Sequence, residues 1–84
     1  MKDAPPAGRY GFDVPAWYRI TVEGRIPTRW CDRLEGMTIT VWTSEADQYL
    51  TRLQGELPDQ ASLAGVLNTL YELHLPVLSV ERLS

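Results

Sequence analysis

Hydrophobic and polar residues alternate in four stretches of the chain, and this period of two predicts four β-strands. The stretches cover residues 18–23, 37–42, 48–57 and 76–83. In the first stretch Tyr18, Ile20 and Val22 fall on one side of the strand, opposite Arg19 and Thr21. This alternation is typical of a sheet that buries one face and leaves the other open.

Two helices are predicted in the segments between these strands. Thr28 can cap a short helix that runs through Leu34, and Gly36 is placed to end it in a left-handed turn. Asp59 can cap a longer helix that ends before Pro76. In the longer helix apolar side chains recur at spacings of three and four residues: Leu63, Val66, Leu67, Leu70 and Leu73.

The order strand, helix, strand, strand, helix, strand (βαββαβ) predicts an α+β, ferredoxin-like (split βαβ) two-layer sandwich with a four-stranded antiparallel sheet. Right-handed crossovers place the first and third strands at the centre of this sheet. Both helices are expected to cover one face. The open face is expected to carry a mixed set of side chains: Arg19, Thr21, Glu23, Thr38, Thr40, Trp42, Leu50, Arg52, Gln54, Val77 and Ser79.

Residues 1–16 lack helical or strand periodicity and mix proline, glycine and charge, which predicts an irregular or partly disordered leader. Residues 17–84 are then expected to form a single α+β domain. Tyr10, Phe12 and Val14 are spaced two apart, so an extended leader could lay them along a sheet edge or groove. The alternative is a tail whose aromatic residues have no role.

The net charge, the apolar runs and the length of the chain argue against several classes of function. The chain has 84 residues, with eight Lys and Arg scattered among eleven Asp and Glu and a net charge of -3, which argues against nucleic-acid binding. An apolar run long enough to cross a membrane is absent from the sequence, as is a signal-peptide pattern, so we expect a cytoplasmic protein without membrane contact. So small a domain has a thin stability margin, which favours self-association or a protein partner.

The sequence predicts no catalytic residue, no cofactor and no metal site, and it favours a protein that is not an enzyme. Cys31 and His74 are the only cysteine and histidine, too few for a structural zinc site. A lone cysteine such as Cys31 is more often a small apolar side chain than a reactive thiol. His74 lies at the carboxy-terminal end of the long helix, where the helix dipole stabilises a cation. Glu56 and Asp59 could form a carboxylate pair, but helix capping explains Asp59.

Residues 55–81 resemble the carboxy-terminal signature of a family of short bacterial proteins without an assigned activity. The signature is carried by Asp59-Gln-Ala-Ser-Leu-Ala-Gly-Val-Leu67 and Leu75-Pro-Val-Leu-Ser-Val-Glu81, and Trp30 and Leu34-Glu-Gly-Met-Thr-Ile-Thr40 match the family's first half. The resemblance implies one domain over roughly residues 18–82 and transfers no site. The family commonly has glycine at the position of His74, so a left-handed helix end is expected to form less readily here.

The expected function is a non-enzymatic interaction or assembly module, either a homodimer or a small subunit of a larger complex. Its contact residues are predicted to be Trp42, Leu50 and Val77 on the open sheet face, together with edge strands and the leader residues Tyr10 and Phe12. An ordinary solvated sheet face is the simpler interpretation of the same pattern. The alternative function is a small-molecule-binding regulatory domain with its ligand at a dimer seam, and a small cofactor-free enzyme is a weaker third.

Overall fold

The structure, a computed structural model, describes residues 14–83. Four strands and two helices follow one another in the predicted order: β1 (Ala16–Glu23), a 3₁₀ helix (Thr28–Leu34), β2 (Thr38–Thr43), β3 (Tyr49–Leu57), α1 (Gln60–Glu72) and β4 (Val77–Arg82). The predicted strands and the long helix are therefore confirmed within a few residues of their expected ends.

The four strands form one sheet in the order β2-β3-β1-β4. Every neighbouring pair in this sheet is antiparallel. The first and third strands therefore occupy the centre, as the sequence predicts. The chain has an α+β fold with an open four-stranded antiparallel sheet and two helices.

The first helix differs from the prediction in its type and in its cap. It is a 3₁₀ helix preceded by Pro27, whose backbone is extended, and no side chain caps its first turn. Thr28 already lies inside the helix, so the predicted Thr28 cap is wrong. The helix ends at Glu35 and Gly36, which have φ angles of 58° and 73°. The left-handed turn predicted at Gly36 is thus present and includes Glu35 as well.

Helix α1 begins as the sequence predicts, because the Asp59 carboxylate accepts a hydrogen bond from the Ser62 N–H at 2.8 Å. The helix also ends in a left-handed turn, since His74 has a φ of 60°. The Leu75 N–H donates to the Leu70 carbonyl at 3.1 Å, and the His74 N–H donates to the Tyr71 carbonyl at 2.9 Å. These two bonds are those of a Schellman motif, here formed around histidine instead of glycine.

The core lies between the sheet and the two helices. Strand β1 contributes every second residue to it, and α1 contributes Val66 and Leu70. Its buried hydrophobic residues are Ala16, Tyr18, Ile20, Val22, Ile26, Leu34, Met37, Leu53, Leu57, Val66 and Leu70. Trp30 is partly buried against this cluster, so the short helix is held by packing on the core and not by its own length.

Thr51 is the buried polar residue of this core, with none of its surface exposed. Its hydroxyl donates to the Gly24 carbonyl at 2.7 Å and accepts from the Ile26 N–H at 3.2 Å. Gly24 has a φ of 115°, and a Cβ atom there would lie 2.5 Å from Leu75 Cδ2. The sharp turn after β1 therefore depends on a glycine and on one buried hydroxyl. Within residues 14–83 no helix is long and apolar enough to cross a membrane.

Candidate functional site

The open face of the sheet brings two of the predicted contact residues together. Trp42 on β2 lies directly opposite Leu50 on β3, and Leu50 in turn lies opposite Glu23 on β1. Trp42 and Leu50 are both half-buried. Side chains of directly opposed residues share one face of a sheet, so this part of the predicted apolar cluster is present in the structure.

Arg52 lies beside this pair and covers part of it. Its guanidinium carbon is 5.2 Å from the centre of the Trp42 ring, a cation–π distance. The Arg52 Nε atom is buried, and it makes no hydrogen bond to any described residue. Next to Arg52 is a hollow of about 270 Å³ lined by Trp17, Thr38, Thr40 and Gln54. This part of the face is therefore polar and aromatic, not a flat apolar patch.

A network of charged and polar side chains occupies the β1–β4 side of the open face. Arg19 donates to Gln54 Oε1 at 3.3 Å and to Glu81 Oε1 at 3.2 Å. The Arg19–Glu81 ion pair is partly exposed, so it contributes little to stability. Its effect is to neutralise the single carboxylate of β4 and to hold that side chain over the open face.

Val77 does not join Trp42 and Leu50, which corrects the predicted open-face set. The register of β4 shifts between Thr21 and Val22, and the shift aligns Val77 with Val22. Val22 is fully buried on the helix side of the sheet. A shift of one residue moves a side chain to the other face, and neither residue type nor period predicts where such a bulge falls.

Strand β4 instead presents an exposed apolar edge. It pairs with β1 on one side and ends the sheet on the other. Four apolar side chains at this edge keep large exposed fractions: Val77 (41%), Leu78 (55%), Val80 (43%) and Leu83 (41%). Helix α1 packs mainly against β3 and the 3₁₀ helix, and these four side chains stay largely exposed. We call these four residues the β4 edge.

The other candidate residues lie on different elements of the fold. Cys31 Sγ lies 3.8 Å from Asp32 Oδ1 on the 3₁₀ helix, whereas His74 is exposed after α1. Asp59 serves as the helix cap, and Glu56 lies on β3 opposite Trp17. No group of three or more metal-ligating side chains occurs within the described residues. The predicted leader contacts Tyr10 and Phe12 lie outside the residues that the structure describes.

Over residues 17–81 the sequence matches a family model described as a domain of unknown function, DUF8691. The chain belongs to this family. The DUF8691 match runs from β1 into β4, and the carboxy-terminal signature and bacterial source remain predictions. No curated protein and no protein of solved structure matches the chain. Membership of DUF8691 assigns no activity, and the exposed surfaces of the domain are its candidate functional features.

Proposed function

We propose that this DUF8691 domain is a non-enzymatic interaction module that self-associates through its β4 edge. We further propose that the sheet and its helices are a shortened ferredoxin-like fold, supported by the central positions of β1 and β3. The observation that carries the proposed function is the set of four exposed apolar side chains at the edge of the sheet. Native proteins usually protect such an edge with lysine, proline or a covering helix.

The backbone of β4 is oriented so that a second strand can be added. The Leu83 N–H points toward β1, where the Trp17 carbonyl accepts it at 2.7 Å. Backbone groups alternate in direction along a strand, so the N–H and C=O of Val80 point away from β1. These groups lie at the outer edge of the sheet and can bond to another strand.

A second copy of the same chain is the partner that this edge fits best. Antiparallel pairing about a two-fold axis at Val80 would let the two Val80 residues exchange both of their hydrogen bonds. The same axis would place Val80 against its own copy and Leu78 beside Arg82 of the other copy, whose aliphatic stem can pack on it. The carboxylate of Glu81 is held by Arg19, so it adds no repulsion between the copies. The product is an eight-stranded sheet that continues across the dimer.

Sedimentation of the full chain at micromolar concentration tests this proposal. We expect a dimer, and we expect Val80→Lys to convert it to a monomer because a charge at the two-fold axis would meet its own copy. Thr43→Lys is the matched control, since Thr43 is an exposed residue on β2 at the opposite edge of the sheet. The control is expected to remain a dimer. Both sites are exposed enough to accept lysine without unfolding.

The Trp42→Glu variant distinguishes a dimer formed through the β4 edge from a dimer formed through the open sheet face. Trp42 lies on β2, so the proposal expects this variant to dimerise like the parent protein. A dimer that is lost in Trp42→Glu and kept in Val80→Lys would contradict the proposed edge and favour the open face instead. A parent protein that is monomeric throughout the concentration range would contradict self-association altogether.

A further inference from the structure

The turn after β1 and the start of the 3₁₀ helix border a cleft at the β2–β3 side of the sheet. The cleft has a volume of about 640 Å³, within the range of small-molecule binding sites. Its polar lining comes from Arg25, Thr28, Arg29 and Tyr49, and its apolar lining includes Ile26. The β4 edge is at the other end of the sheet, so this cleft is a separate surface.

The cleft has a positive charge in a protein whose net charge is -3. Arg25 and Arg29 both line it, and no described carboxylate does. Neither arginine forms an ion pair with another residue in the 14–83 range. The Arg25 guanidinium lies 5.7 Å from the centre of the Tyr49 ring, which holds it at the cleft without neutralising its charge. Both arginines therefore border the cleft, and Arg29 also borders the neighbouring hollow beside Trp30 and Arg33.

The hydrogen-bonding groups of the cleft match an oxyanion. Each guanidinium carries five donors and no acceptor, and the hydroxyls of Thr28 and Tyr49 can also donate. Guanidinium groups bind phosphate oxygens through paired, charge-assisted hydrogen bonds. The cleft is larger than a phosphate group needs, and the half-buried Pro27 and Val41 supply an apolar wall for the remainder of a ligand.

The backbone around the cleft is fixed before any ligand binds. Thr51 bonds to both the Gly24 carbonyl and the Ile26 N–H, and the Gly24 N–H donates to the Tyr49 carbonyl at 2.8 Å. These bonds join the Arg25 turn to β3, which carries Tyr49. A binding site held in this way loses less conformational entropy when a ligand binds.

We infer that this cleft binds a small organic phosphate, with Arg25 and Arg29 on the phosphoryl group and Pro27 and Val41 on the apolar part. This binding site is independent of the proposed dimer. Phosphate esters and free phosphate share the phosphoryl chemistry, and the apolar wall favours the ester.

Titration of the full chain with phenyl phosphate, followed by amide chemical shifts and calorimetry, tests this inference. We expect shifts at residues 25–29 and at Tyr49, and binding about tenfold tighter than that of inorganic phosphate or benzoate. Phosphate alone binding as tightly would overturn the role of the apolar wall. Benzoate binding as tightly would overturn the choice of a phosphoryl group. An absence of shifts in millimolar phenyl phosphate would overturn the site.

Charge-removing variants show which arginines bind the ligand. Arg25→Gln and Arg29→Gln are each expected to weaken phenyl phosphate binding about tenfold. Arg33→Gln is the matched control, because Arg33 lies 4.9 Å from the Trp30 ring and does not line the cleft. The control is expected to change binding by less than about twofold. An equal loss in all three variants would indicate general attraction of anions and contradict a defined site. Val80→Lys is expected to bind normally.

Discussion

Replacement of Thr51 by valine tests whether one buried hydroxyl holds the turn after β1. Valine has nearly the same shape, so the change removes two hydrogen bonds without leaving a cavity. The Ile26 N–H is buried and would lose its partner, at a cost of about 1 to 3 kcal/mol. Gly24 is partly exposed, so water can reach its carbonyl and the second loss is smaller.

The added methyl group of valine offsets part of this cost, by about 0.8 kcal/mol. If the smaller loss at the Gly24 carbonyl cancels this gain, the net destabilisation of Thr51→Val is about 1 to 3 kcal/mol, which lowers the thermal midpoint of a domain this small by about 4 to 24 °C. Urea unfolding gives the free energy, and amide hydrogen exchange at Ile26 reports the broken bond directly.

Thr51→Ser is the control for this experiment, because serine keeps the hydroxyl and loses only the methyl group. Serine is expected to preserve slow exchange at the Ile26 amide, whereas valine is expected to accelerate it. A Thr51→Val variant that is as stable as the parent protein and keeps its Ile26 amide protected would show that the hydroxyl does not hold the turn. In that case packing would hold the turn, and the hydrogen bonds of Thr51 would not be what fixes the backbone around the arginine-lined cleft.

Three further changes test the packing and the backbone. Leu70→Ala should cost about 2 to 5 kcal/mol because Leu70 is fully buried, and an unchanged thermal midpoint would contradict that placement. His74→Gly should raise stability by about 0.5 to 1 kcal/mol by relieving a φ of 60°, whereas a lower melting temperature would refute strain there. Gly24→Ala should destabilise by about 2 kcal/mol or more, and a second change, Leu75→Ala, should recover only the part due to contact with Leu75.

The signals that predicted the fold correctly are local. Alternation in residues 18–23 gives β1 and its buried face, and Asp59 with the leucine spacing after it gives α1. The burial of Thr51 could also be predicted from alternation, because Thr51 lies between Tyr49 and Leu53 on the inward side of β3. A threonine at such a position indicates a buried hydroxyl that needs two partners, but the partners cannot be named from the sequence.

The candidate surfaces were less predictable, because they depend on residues far apart in the chain. Arg25 and Arg29 look like part of an even scatter of charge, and only the fold brings them beside Tyr49 and Val41. The edge position of β4 follows from the predicted strand order, but the exposure of its apolar side chains depends on where α1 packs, and within residues 14–83 α1 packs mainly against β3 and the 3₁₀ helix. The direct Trp42–Leu50 pairing follows from the turn that joins β2 and β3.

The number and order of the strands, the long helix and its cap, and the central positions of β1 and β3 are all readable from local patterns, because they follow from hydrophobic period, capping chemistry and crossover handedness. The face on which Val77 lies, the left-handed turn at His74 and the exposure of the β4 side chains depend on the folded chain as a whole. These features are set by the register shift and by contacts between distant segments, whose energies outweigh the preferences of single residues.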